Sequence, residues 1–185
     1  MHVEATALPG VLVVSPKIVG DARGFFVETW AEERYASVGI PGPFVQDNLS
    51  RSARHTLRGL HLQEPHGQGK LVSVVEGSVL DVAVDVRVGS PTFGRHVAVP
   101  LSGSDHRQLW IPPGFAHGFC VTSEHAIFAY KCTDRYHPEH EVGVAWDDPD
   151  LAIAWPTREP LLSARDRAHP RLSEVAPGRL PRHPG

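Results

Sequence analysis

The sequence has little cysteine: Cys120 and Cys132 are the only two in 185 residues. They are not closely spaced and have no second pair, so neither a zinc knuckle nor a disulfide framework is indicated. A reducing cytoplasm is the expected compartment. No basic excess is present either. The chain carries 18 Lys and Arg against 21 Asp and Glu, a formal net charge of −3, and nothing in that balance points to a nucleic-acid partner. No apolar run approaches the roughly 18 residues of a membrane span. The opening MHVEATALPGVLVVSPKIVG has only a short apolar stretch and no basic start, so no signal peptide is expected. Neither a G-x-G-x-x-G nor a P-loop occurs, so any phosphate must be held by side chains. Convincing helix is scarce, limited to Ala31 to Val38 and to short pieces in the proline-punctuated region beyond Asp147. No repeat or linker divides the chain. The expectation is a soluble single domain over 1–185, with a loosely ordered tail from about residue 173.

What remains is strand. From Val79 to Val86, VLDVAVDV places Leu80, Val82, Val84 and Val86 on one face and Asp81 and Asp85 on the other, a period of two. Lys70 to Val75, Val97 to Leu101, Gln108 to Ile111 and Ala126 to Cys132 are further candidates. Turn signals separate them at Glu76-Gly77-Ser78, Gly89-Ser90-Pro91, Ser102-Gly103-Ser104 and Pro112-Pro113-Gly114. Strands punctuated this regularly predict an antiparallel barrel or sandwich.

Two segments carry chemistry. One is Arg58-Gly59-Leu60-His61-Leu62-Gln63, followed by Gln68-Gly69-Lys70; the other runs from Ile111 to Phe119 and contains Pro112-Pro113-Gly114-Phe115-Ala116-His117. The latter resembles the second motif of the cupin superfamily of small β-barrels. The metal-binding first motif of that superfamily is not matched, because Gln63 stands where a second histidine would follow His61. Two donors are too few for a tight Zn or Fe site, so no metal and no cofactor are expected.

A more specific resemblance covers nearly the whole chain. Asp21-Ala22-Arg23-Gly24-Phe25-Phe26-Val27-Glu28, Gln46-Asp47-Asn48, Leu57 to His61 with Gln68-Gly69-Lys70, and Gly89-Ser90-Pro91-Thr92-Phe93-Gly94 occur in order. Ala129-Tyr130-Lys131, Tyr136-His137-Pro138-Glu139-His140-Glu141, Trp146-Asp147-Asp148-Pro149 and Leu162-Ser163-Ala164-Arg165-Asp166 follow. Together they resemble the dTDP-4-dehydrorhamnose 3,5-epimerases, although the stretch from His61 to Lys70 is one residue shorter than in many members. The resemblance implies an all-β, cupin-type barrel or jelly roll with a few short helices, mainly C-terminal. It also implies a homodimer, with the N-terminal segment reaching the partner's site, and a dTDP-4-keto-6-deoxyhexose substrate.

Inverting a carbon beside a ketone needs a base, a cation or donor for the enolate oxygen, and an acid on the opposite face. Histidine supplies a base near neutral pH. The resemblance assigns His61 as base, Asp166 as its orienting carboxylate, Lys70 as the cation for the C4 oxygen and Tyr130 as the acid. It gives Arg23 and Arg58, and with them Arg165, the diphosphate. Phe26 and Tyr136 become aromatic surface for base or sugar, and Glu28, Gln46, Asn48, Glu141 and His117 further substrate contacts.

Plainer readings stand beside these. Tyr130 alternates with Phe128 and Cys132 and could be core; Lys70 could be a solvated strand start; Asp166 could be an ordinary helix N-terminal acid. His117 either contacts substrate or supports His61. His55, His66, His96, His106 and His169 read as structural or solvated. A mono-epimerase acting at C3 or C5, a non-catalytic nucleotide-sugar binder and a metal-dependent cupin dioxygenase are the alternatives.

Overall fold

In a computed structural model that describes residues 1–184, the alternating segment at the centre of the chain is a strand buried on both faces. The elements in order are β1 (His2–Ala5), β2 (Leu12–Ser15), β3 (Ile18–Asp21), β4 (Gly24–Val27), α1 (Glu32–Ala36), β5 (Gln46–Ala53), β6 (Leu57–Gln63) and β7 (Lys70–Glu76). There follow β8 (Ser78–Asp85), β9 (His96–Ser102), β10 (Gln108–Ile111), β11 (Phe115–Val121), β12 (His125–Cys132), β13 (Glu141–Gly143) and α2 (Ala164–Arg167). A six-stranded sheet, ordered β1-β2-β10-β7-β12-β5, faces a five-stranded sheet, β13-β6-β11-β8-β9, and β3 and β4 form a separate hairpin. Every pairing between named strands is antiparallel. Neighbours far apart in sequence within each sheet make this a jelly roll, the all-β architecture expected.

The interior between the sheets is filled by Val72, Val74, Leu109, Ile111 and Phe128 from one side and Val79, Ala83, Leu101, Phe115, Phe119 and Val121 from the other. Each sheet is also covered on its outer face. Tyr35 and Ile40, around α1, close over Val14, Leu71 and Trp110. On the five-stranded sheet, Val144, Leu151, Leu172, Val175 and Leu180 close over Leu60, Leu62, Val82, Val84 and Val86. The valine face of β8 is thus the outer one, and its acidic face points inward. The C-terminal stretch, expected to be loose, is held instead: Val175 and Leu180 belong to that cover, and Val88 N–H donates to the Pro181 carbonyl at 2.8 Å. Its prolines prevent regular helix without preventing apolar burial.

Asp85, at the end of β8, has a fully inaccessible side chain. Arg87 grips it through Nε (2.9 Å to Oδ1) and Nη2 (2.7 Å to Oδ2). The hydroxyls of Ser90 and Thr92 each donate to Oδ2 at 2.6 Å. The Gly89–Gly94 motif is therefore a turn built to neutralise a buried carboxylate. Burial alone would push the Asp85 carboxyl up, but Arg87, Ser90 and Thr92 outweigh it and hold the group at about 2, below its ordinary 3.8. Because the folded value is the lower one, the contribution is complete above pH ~4 and is lost as pH falls toward ~2, amounting to about 2 kcal/mol. Asp85→Asn should cost roughly 3–5 kcal/mol at pH 7, leaving Arg87 without its partner. In urea titrations the gap between variant and parent should narrow from pH 5 to pH 3; an equal gap at both would refute the electrostatic origin.

Candidate active site

The apolar lining of the barrel gives way at one end to polar groups around a cavity of about 400 Å³. Its first wall is built on β6 and β11, where His61 and His117 are Cα partners. The strands approach so closely just before that pair that a Cβ on Gly59, whose φ is +132°, would lie 2.6 Å from the Gly118 Cα. Only glycine meets both demands, which explains the glycine in Arg58-Gly59-Leu60-His61.

His61 and His117 each have a carboxylate behind them. The His61 Nε2 lies 2.6 Å from Asp166 Oδ1, no hydrogen bond among the described residues engages the other ring nitrogen, and the residue lines the cavity. Asp166 sits in the first turn of α2, where its backbone N–H donates to the capping hydroxyl of Ser163 at 3.0 Å. With the cap supplied by Ser163, the Asp166 carboxylate is available to the imidazole. Burial raises the Asp166 pKa, but the His61 hydrogen bond and charge together with Ser163 lower it further, so the net shift is downward and the group is an anion. His117 Nε2 lies 3.0 Å from both oxygens of the fully buried Asp81. A third imidazole, His169, meets the His61 ring edge-on at 5.3 Å between centroids.

Lys70 and Tyr130 stand on the other wall, on β7 and β12 of the six-stranded sheet; their Cα partners there are Cys132 and Val72. The Lys70 ammonium forms no hydrogen bond or ion pair among the described residues. Burial lowers its pKa, while Cys132, Glu141 and Asp81 pull it back up. Burial likewise raises the Tyr130 phenol. His61 on β6 and Tyr130 on β12 thus line the same cavity from opposite sheets.

Around the rim, Gln46 Nε2 donates to Asn48 Oδ1 (3.0 Å), and Gln46 Oε1 accepts from the Tyr136 N–H (2.9 Å). Glu141 accepts from the Tyr136 hydroxyl at 2.6 Å, pairs with Arg165 at 2.8 Å, and lies 3.9 Å from His61. Arg58 Nε donates to Ser52 at 3.1 Å. Gln46, Asn48, Arg58, His61, Lys70, His117, Tyr130, Tyr136, Glu141, Arg165 and Asp166 all line the one cavity.

Arg23, Phe26 and Glu28, read from the sequence as substrate contacts, do not line it. They lie on or just after the β3–β4 hairpin, where Arg23 pairs with Asp21 and Glu28 with Arg34, and Phe26 is 71% exposed. Asp81 and His169 are the functional-looking residues that sequence reasoning missed. The in-out alternation gave no partner for Asp81, and only its position one turn beyond Asp166 marked His169.

Donor atoms of His61, Asp166 and His169 lie within 4.8 Å of one another, but the first two are joined directly. The 2.6 Å separation of His61 and Asp166 is a direct hydrogen bond, shorter than the roughly 3 Å or more between two donors that flank a bound ion. Gln63, two residues after His61, turns away to bond the carbonyls of His66 (2.9 Å) and Arg135 (3.1 Å).

Residues 5–174 match the family model for dTDP-4-dehydrorhamnose 3,5-epimerase. The enzyme of that name from Pseudomonas aeruginosa is 53% identical over 169 residues, 90% of this chain and 93% of the relative. A solved structure of dTDP-6-deoxy-D-glucose-3,5-epimerase from Legionella pneumophila, in complex with dTDP-4-keto-L-rhamnose, is 52% identical, with a TM-score of 0.97 and coverage of 100% of this chain and 99% of that one. A dTDP-4-dehydrorhamnose 3-epimerase from Streptomyces niveus is less similar, at 40% identity over 95% of this chain and 86% of the relative. With its paired histidines, facing lysine and tyrosine, and matched length, the chain belongs to the dTDP-4-dehydrorhamnose 3,5-epimerase family.

Proposed function

We propose that the chain epimerises C3 and C5 of dTDP-4-dehydro-6-deoxy-D-glucose, giving dTDP-4-dehydro-L-rhamnose, by enolisation on either side of the C4 ketone. The observation that carries this reading is the placement of His61 on one sheet and Tyr130 on the facing sheet, with Lys70 beside Tyr130. His61, oriented by Asp166, takes the proton from the carbon beside the ketone. Asp166 stabilises the resulting imidazolium, as a carboxylate behind a histidine does. Lys70, with no protein counter-ion at its ammonium, receives the negative charge that grows on the C4 oxygen. Tyr130 returns a proton from the opposite wall, so the carbon is inverted. His117, held by Asp81, and the rim residues Gln46, Asn48, Arg58, Tyr136, Glu141 and Arg165 bind sugar and diphosphate.

A second copy of the chain completes the site in this proposal. The hairpin exposes Val19, Phe25 and Phe26, and β5 is a sheet edge from which Leu49 projects with 69% exposure. An apolar hairpin and an open edge strand are costly to leave in water. A homodimer that covers them would bring Arg23, Phe26 and Glu28 to the partner's cavity. Among the described residues no helix is long and apolar enough to cross a membrane. The two free, buried cysteines support a reducing compartment, the cytoplasm.

Incubation with dTDP-4-dehydro-6-deoxy-D-glucose in D₂O should place deuterium at both C3 and C5, read by mass spectrometry and NMR. Label at one carbon would make the enzyme a mono-epimerase, and no label would overturn the reading. His61→Ala should reduce turnover by about 10²–10⁴-fold with nucleotide affinity largely kept. In sedimentation velocity the parent should run as a dimer and Leu49→Asp as a monomer. Arg23→Ala should remain dimeric while weakening substrate binding roughly 10–100-fold. A parent chain that stays monomeric at micromolar concentration would remove the partner's contribution.

A further inference from the structure

Beside the cavity, two loops meet through a group of donors that the proposed reaction does not use. His66 lies in the loop between β6 and β7. Asp134 and His137 lie in the connection between β12 and β13. The His66 Nδ1 is 3.5 Å from one Asp134 oxygen and the His137 Nε2 is 3.8 Å from the other. The donor atoms of all three residues lie within 4.8 Å of one another. Ligands of a tetrahedral zinc at ordinary bond lengths sit roughly 3.4 Å apart, so the spacing suits one ion once the half-exposed His66 and His137 rings, now stacked 20° from parallel, turn to converge on it.

The backbone beneath these donors is fixed. Gln63 donates to the His66 carbonyl at 2.9 Å and accepts from the His137 N–H at 2.9 Å, and Gln68 donates to the Asp134 carbonyl at 2.9 Å. His66 itself has φ +71°, a left-handed conformation uncommon outside glycine and often found where function demands it. Its ring stacks on those of His137 and His140, with centroids 4.5 and 5.0 Å away.

We propose that His66, Asp134 and His137 bind one divalent transition-metal ion that clamps these two loops together. Two imidazoles and one carboxylate suit Zn²⁺ and its late first-row neighbours, and are a poor set for Mg²⁺ or Ca²⁺, which take oxygen ligands. The remaining positions would be filled by water. Tyr136, between two of the donors in sequence, lines the cavity, so the clamp would steady one side of the substrate rim without touching the reacting atoms. The inference is independent of which sugar the cavity accepts.

The test is calorimetric titration of chelator-treated, full-length protein with ZnCl₂, then with MgCl₂. One zinc per chain should bind saturably, and magnesium should not. His137→Ala and His66→Asn should each weaken zinc binding by at least the roughly 10–100-fold that even outer-sphere losses cost. Asparagine is chosen at 66 because it tolerates the left-handed backbone. Zinc should raise the Tm of the parent and not of His66→Asn, while their zinc-free Tm values agree. Absence of saturable zinc binding would overturn the proposal. So would a zinc site unaffected by His66→Asn but removed by His140→Ala, which would put the ion on His137, Glu139 and His140. Loss of zinc binding with His169→Ala would put the ion in the cavity and would overturn the proposal equally.

Discussion

A charge placed between two apolar sheets must be neutralised where it stands, and this constraint organises the interior. An isolated ionised carboxylate in such surroundings costs far more than a single domain's net stability. Each inward-facing acid therefore comes with its partner: Asp85 with Arg87, Ser90 and Thr92, Asp81 with His117, and Asp166 with His61. Lys70 is the exception, an ammonium on the cavity wall with no hydrogen-bonded counter-ion among the described residues. Charge is left unbalanced where the proposed substrate brings an oxygen that becomes negative during reaction.

The pairs differ in what they leave free. The Asp85 carboxylate is consumed by donors on both oxygens, and its role ends with the fold. His61 spends one ring nitrogen on Asp166 and has no hydrogen bond at the other among the described residues. The close passage of β6 and β11 at Gly59 and Gly118 sets the two histidines side by side. Glycine in these strands is a condition of the site's geometry.

The barrel was legible in β8, where one face is apolar and the other carries Asp81 and Asp85, and in β7, β9, β10 and β12 as short apolar runs set between turn signals. It was not legible in β5, β6 and β11. The strand β11, FAHGFCV, is buried throughout, so no alternation marks it, and β6 is interrupted by Arg58, Gly59 and His61, which serve the site. The C-terminal cover was hidden because its apolar residues, Leu172, Val175 and Leu180, are spaced among prolines with no helical or strand period. At the site, His61, Lys70, Tyr130 and Asp166 were found through resemblance, and the structure brings them to one cavity. Asp81 was read only as the polar half of an alternation. Pattern alone cannot separate a face turned to solvent from one turned into a barrel, and here the valine face is covered from outside by chain that lies far along the sequence.

In the proposed mechanism one base and one acid on opposite walls suffice for two inversions because of the sugar's own stereochemistry. In a glucose-configured chair the hydrogens on C3 and C5 are both axial and point to the same face of the ring. Both carbons flank the C4 ketone, so either hydrogen is acidified by the same oxygen. A ring seated with that face toward His61 and its C4 oxygen toward Lys70 presents two acidic hydrogens to one imidazole and two opposite faces to one phenol. Moving from one centre to the other needs a small shift or pucker of the ring, with His61 losing its proton to solvent and Tyr130 regaining one in between, and not a second catalytic set. A family of this architecture can accordingly contain both double and single epimerases with the same groups in place. On this reading, what separates them is how freely the bound ring can make that shift beside the rim of Tyr136, Glu141 and Arg165, linked at 2.6 Å and 2.8 Å.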